Sequence, residues 1–135
     1  MKRNAYVFLA VALCTAVAVP ALASAKGKPG GGGSTAGGSV SLVQITPRAG
    51  GPAVGDYVTF QVTTSDPQPY VRAQCFKGRT LVYSQTNGFY PAYPWGQTYR
   101  LGPTSLWVSG SATCKADLIT ATNAVLASTS FSVSG

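Results

Sequence analysis

Tyr70-Val-Arg-Ala-Gln-Cys75-Phe-Lys-Gly78 and Gly110-Ser-Ala-Thr-Cys114-Lys-Ala-Asp-Leu118 are the stretches that decide the fold of this chain. Both alternate with period two, the pattern of strands that bury one face. Each carries its cysteine in the small, apolar register: Val71, Ala73 and Cys75 on the first, and Ala112, Cys114, Ala116 and Leu118 on the second. Two inward cysteines on strands expected to pair predict a Cys75–Cys114 disulfide, the alternative being two buried free thiols. Closing the loop between them would contribute about 4 kcal/mol by constraining the unfolded chain.

Outward from these two strands, turn signals cut the sequence into about seven strand candidates, and no stretch shows a helical stripe between caps. The candidates cover 40–46, 57–63, 70–76, 80–84, 97–101, 111–119 and 125–133. An all-β domain follows. Val58, Phe60 and Val62 should face inward on the second, and Val125, Ala127, Phe131 and Val133 share one register of the last. Lys77-Gly78-Arg79 reads as a tight return and Asn87-Gly88 as a further turn. The segment Phe89-Tyr-Pro-Ala-Tyr-Pro-Trp-Gly96 holds two prolines, each of which removes a ladder donor, so it reads as an aromatic loop.

Ahead of the strands, Met1-Lys-Arg-Asn precedes an uncharged apolar run too short to span a bilayer, followed by Ala21-Leu-Ala23-Ser-Ala25. This is the layout of a cleaved signal peptide over 1–25, with the cut after Ala23 or Ala25, and Cys14 should leave with it. Residues 26–39 are rich in Gly and Ser and read as a flexible linker. The domain over 40–135 then has room for one core, and export to an oxidising compartment favours the disulfide.

The chain carries 10 Lys and Arg against 3 acidic residues, a net charge of +7, and no histidine. It stays clearly basic without Lys2 and Arg3, which favours association with polyanions such as cell-wall polymers or acidic glycans. The cations are scattered singly, so nucleic-acid binding is not expected. Without histidine, and with Asp56, Asp66 and Asp117 as the sole acidic side chains, acid-base catalysis has few candidates. Two cysteines and three separated aspartates match neither a zinc nor a calcium pattern, so no metal and no cofactor is expected.

Two surfaces remain as binding candidates. Tyr90, Tyr93 and Trp95 of the aromatic loop offer large, stiff rings suited to sugar faces or protein pockets, unless the prolines fold them back as a lid over the core. Trp107, just before a strand, reads as a core plug. The outward register of the cysteine strands gives Arg72 and Phe76 beside Lys115, a mixed aromatic and cationic face.

About seven strands, with one cysteine in the third and one in the sixth, resemble the immunoglobulin-like β-sandwich. In that resemblance the second, third, fourth, sixth and last candidates correspond to strands B, C, C′, F and G. The chain departs from the antibody pattern at Phe60, where the inter-sheet cysteine would stand, and at Cys75, near the tryptophan position. It departs again at Ala112, in place of the tyrosine two residues before the F-strand cysteine. The run from Gly88 to Trp95, followed by Trp107-Val-Ser-Gly-Ser-Ala-Thr-Cys114, is similar to small exported bacterial proteins of unknown activity. The likeness covers residues 57–118. It implies fold and compartment and carries no active site to transfer. The residues themselves are read as those of a secreted, non-enzymatic binding or surface-interaction module, with a cell-envelope glycan or a secreted protein as partner. The alternatives are a structural accessory domain, or a small inhibitor acting through its aromatic loop.

Overall fold

A computed structural model describes residues 33–35 and 37–135; the expected signal peptide, most of the Gly-rich segment and residue 36 lie outside the described residues. All regular structure among the described residues is strand. The order is β1 (Gly33–Thr35), β2 (Gly38–Gln44), β3 (Tyr57–Thr64), β4 (Tyr70–Lys77), β5 (Thr80–Gly88), β6 (Tyr99–Arg100), β7 (Ala112–Ile119) and β8 (Val125–Val133). Two antiparallel sheets form, β2-β3-β6 extended by the three-residue β1, and β5-β4-β7-β8.

The alternation in the sequence becomes the core between the sheets. Val40, Val58, Phe60 and Tyr99 face it from one side; Val71, Ala73, Cys75, Cys114, Ala116, Leu118, Ala127, Phe131 and Val133 face it from the other. Phe60 meets Tyr99 edge-on at 5.1 Å and Phe131 at 6.2 Å between ring centroids. The buried Tyr99 hydroxyl donates to the Val71 carbonyl at 2.7 Å, a hydrogen bond that ties β6 of one sheet to β4 of the other. A tyrosine can occupy such a core only because its polar end finds this acceptor.

Cys75 and Cys114 stand directly opposite each other in the β4–β7 ladder and are joined by a disulfide. The bond lies within one sheet and does not cross the sandwich. Trp107 plugs one end of the core, fully buried, with its indole N–H donated to the Gly110 carbonyl at 2.8 Å.

Four expectations are corrected. The linker reading ran through residue 39, yet Gly38 and Ser39 pair with Thr64 and Thr63 at the start of β2, and Gly33–Thr35 folds back on the same strand. Main-chain pairing needs no apolar side chain, and at Gly38, with φ of 152°, a Cβ would run into the Thr63 carbonyl. Asn87-Gly88 is no turn but the end of β5, whose pairing with β4 continues to Tyr70↔Gly88. Gly88 does not adopt positive φ; Tyr90 and Tyr93 lie where its side chain would be. Val125 is exposed, because an irregularity at Leu118/Ile119 shifts the β7–β8 register and turns Leu126 toward the core instead. The candidate strand over 97–101 contracts to Tyr99–Arg100.

Candidate binding surface

The end of β5 launches the aromatic loop, and three contacts shape it. The Phe89 amide donates to the Pro69 carbonyl at 2.8 Å, and its ring stacks on Tyr99 at 6.4 Å, so Phe89 anchors the loop to the core. The Tyr93 amide donates to the Tyr90 carbonyl at 3.0 Å, closing a turn around Pro91 and Ala92. Gly88 lets both tyrosine rings settle on the sheet.

The result is a connected set of rings. Tyr90 and Tyr93 meet edge-on at 5.5 Å, and Tyr93 meets Trp95 at 5.5 Å. Tyr70, the first residue of β4, joins them at 5.6 Å from Tyr90 and 6.5 Å from Tyr93. Its hydroxyl shares a 3.2 Å hydrogen bond with that of Tyr90, which holds the Tyr90 phenol above its ordinary pKa. Exposure rises along the loop: Phe89 packs on the core, Tyr90 and Tyr93 are half-buried, and Trp95 is 72% exposed. The loop is therefore a lid at its root and an open ring at its tip.

The outward register of the second sheet extends from this cluster as cross-strand rows. Next to Tyr70 runs Thr86, Arg72, Asp117 and Ser128, one residue from each of β5, β4, β7 and β8. The following row is Ser84, Gln74, Lys115 and Ser130. Spanning four strands, each row is about 14 Å wide.

Asp117 organises the middle of this face. Its carboxylate is almost buried and accepts from Ser128 Oγ at 2.5 Å, from Lys115 Nζ at 2.9 Å and from Arg72 Nη2 at 3.4 Å. Burial pushes its pKa up, but those three donors together outweigh burial and leave the carboxyl below its ordinary value. Arg72 and Lys115 keep 30% and 50% of their side chains exposed. Arg72 thus meets Asp117 through a single long contact, and its buried Nε has no hydrogen-bond partner among the described residues.

The candidates fall into two groups and an outlier. Tyr90, Tyr93 and Trp95 come together and recruit Tyr70; Arg72 and Lys115 come together through Asp117. Phe76 does not join them. It lies six residues along β4 from Tyr70, about 20 Å away, beside a shallow depression it lines with Lys77, Thr113 and Ser132. The sequence reading passed over Tyr70 as a member of the ring cluster. Its signal was positional: a strand beginning at Tyr70 and returning through β5 brings the end of that strand back beside it, and the one-residue shift at Cys75/Phe76 sets Gly88 opposite.

No group of three or more His, Cys, Asp or Glu side chains that could hold a metal ion occurs among the described residues. No protein-family model, curated protein or solved structure matches the chain.

Proposed function

We propose that this protein is an exported, non-enzymatic binding module of the immunoglobulin-like kind, and that it holds glycan rings on the cluster formed by Tyr70, Tyr90, Tyr93 and Trp95. The observation that carries the reading is Trp95, 72% exposed and backed at 5.5 Å by Tyr93. An indole propped by a second ring is a stiff apolar plate, and docking a sugar face on it orders little that is not already ordered. The polar rows beside the plate supply hydroxyl and amide groups for a ligand that is itself covered in hydroxyls. The strand order supports the immunoglobulin-like kinship, since it sets β4, matched to strand C, between the strands matched to C′ and F, with the one matched to G beyond F. The disulfide and the leader-like first residues support export.

The test is retention of the full-length chain on insoluble cell-wall polysaccharide, with release by soluble oligosaccharide. Trp95→Ala should abolish retention while the melting temperature stays close to that of the parent. Undiminished retention of that variant would reject the ring cluster as the binding surface.

A further inference from the structure

The glycan reading leaves the kind of sugar open, and the row next to the ring cluster narrows it. Resting on that reading, we infer that the ligand is an acidic polysaccharide, a chain of pyranose rings bearing carboxylates, with its rings on Trp95 and Tyr93 and its carboxylates at Arg72 and Lys115.

The argument is one of charge and of spacing. Each of the three carboxylate side chains is already engaged within the protein. Asp56 accepts a two-pronged contact from Arg48 at 2.8 and 3.1 Å; Asp66 accepts the Gln68 amide in its own turn at 2.8 Å; Asp117 sits under Ser128, Lys115 and Arg72. The described outward rows therefore present two half-open cations over one buried carboxylate, within a chain of net charge +7. Arg72 is the more telling of the two. Its one ion pair among the described residues is one-pronged and 3.4 Å long, so Asp117 does not take both prongs of the guanidinium, and although Nε is buried, 30% of the side chain stays open to a ligand carboxylate. Tyr70, which packs on Tyr90 and Tyr93, and Arg72 are same-face neighbours on β4, about 6.8 Å apart along the strand, so the ring cluster adjoins the row of cations. A polymer that carries both rings and carboxylates along its length meets both features at once. A phosphodiester chain without rings would meet the cations only, and a neutral glycan would meet the rings only.

Affinity electrophoresis or calorimetry of the full-length chain can separate these cases. The probes are polygalacturonate, alginate and hyaluronan, each paired with its carboxyl-reduced neutral form, together with inorganic polyphosphate. At least one polyuronate should bind about tenfold more tightly than its reduced form at low salt, and the preference should shrink as salt rises. Lys115→Gln, which leaves Asp117 its bonds from Arg72 and Ser128, should reduce that preference about fivefold without altering binding of the reduced form. Trp95→Ala should weaken both forms alike. Equal binding of acidic and reduced forms would overturn the acidic assignment and keep the glycan reading. Polyphosphate binding as tightly as the polyuronates, or a Lys115→Gln variant with unchanged preference, would also overturn it. Binding of no polysaccharide in either form would remove both readings.

Discussion

The two tryptophans of this chain do opposite work. Trp107 is fully buried, with its N–H satisfied by Gly110 and its ring edge-on to Tyr83 at 6.4 Å. Trp95 touches its neighbours through one ring contact and leaves 72% of its surface in water. Both follow loops rich in turn residues, so local sequence alone does not separate them. What separates them is the chain behind each. The Trp107 loop folds onto the open end of the core, where its Thr104 hydroxyl donates to the Val82 carbonyl at 2.8 Å. The Trp95 loop places Phe89 on the core and Tyr90 and Tyr93 over Gly88, and its last ring is left against Tyr93 in water. Burial of an aromatic side chain stabilises a fold; propping one in water stabilises very little and leaves it free to meet a ligand.

The contrast is breakable by substitution. Trp107→Ala should have the largest effect, about 4 to 5 kcal/mol of lost stability in chemical denaturation, because it empties a fully buried site and orphans a hydrogen bond. A loss below about 1 kcal/mol would mean that the core end is not closed by this ring. Replacing Cys75 and Cys114 together by alanine should cost about 4 kcal/mol, mainly through the freed unfolded chain. The check is the same denaturation series, with the parent also measured after reduction under denaturing conditions.

Acid should act more gently. The Asp56 carboxyl is held below its ordinary pKa first by the side-chain hydrogen bond from Arg48 and then by the Ala53 amide. Asp117 is likewise low on balance. Groups depressed in the folded state contribute stability that is complete above the unfolded value of about 3.9 and is lost as pH falls through the folded value. Stability measured against pH should therefore fall off below about pH 4, and Asp117→Asn should blunt that decline. Burial raises the phenols of Tyr83 and Tyr99, so the opposite limb opens above about pH 10, where the unfolded state gives up protons that the folded state retains.

Trp95→Ala should have the smallest effect, within about 0.5 kcal/mol of the parent. A loss comparable with that of Trp107→Ala would erase the distinction between plug and plate, and with it the argument for binding at this loop.

How much of this was readable beforehand follows the same physical division. The paired strands around Cys75 and Cys114, the inward Val58 and Phe60, and the burial of Trp107 were legible because alternation and side-chain type record which face is dry. Gly38 was misread because a backbone ladder leaves no mark in side-chain hydrophobicity. Asn87-Gly88 was misread because the dipeptide allows a turn without requiring one; here the glycine is needed for the rings above it. Val125 was grouped in one register with Ala127, Phe131 and Val133 because a register irregularity at Leu118/Ile119 is invisible to a period-two reading. At the candidate site, the rings and cations were legible as residue types. The meeting of Tyr70 with Tyr90, and of Asp117 with Ser128, depends on register between strands far apart in sequence.

The placement of the disulfide has a mechanical consequence. Because it clasps β4 to β7 within one sheet, tension applied through the two chain ends can peel β2 and β8 away but cannot extend the segment between the bridged residues. Those 39 residues would add about 140 Å of chain if paid out in full. A single molecule stretched between its ends should therefore come apart to a short, fixed length in oxidising buffer and yield the remaining length only after a reductant is added. A protein tethered at one end and holding a polymer along its β5-β4-β7-β8 face would keep strands β4 and β7 joined under load, together with the cations they carry.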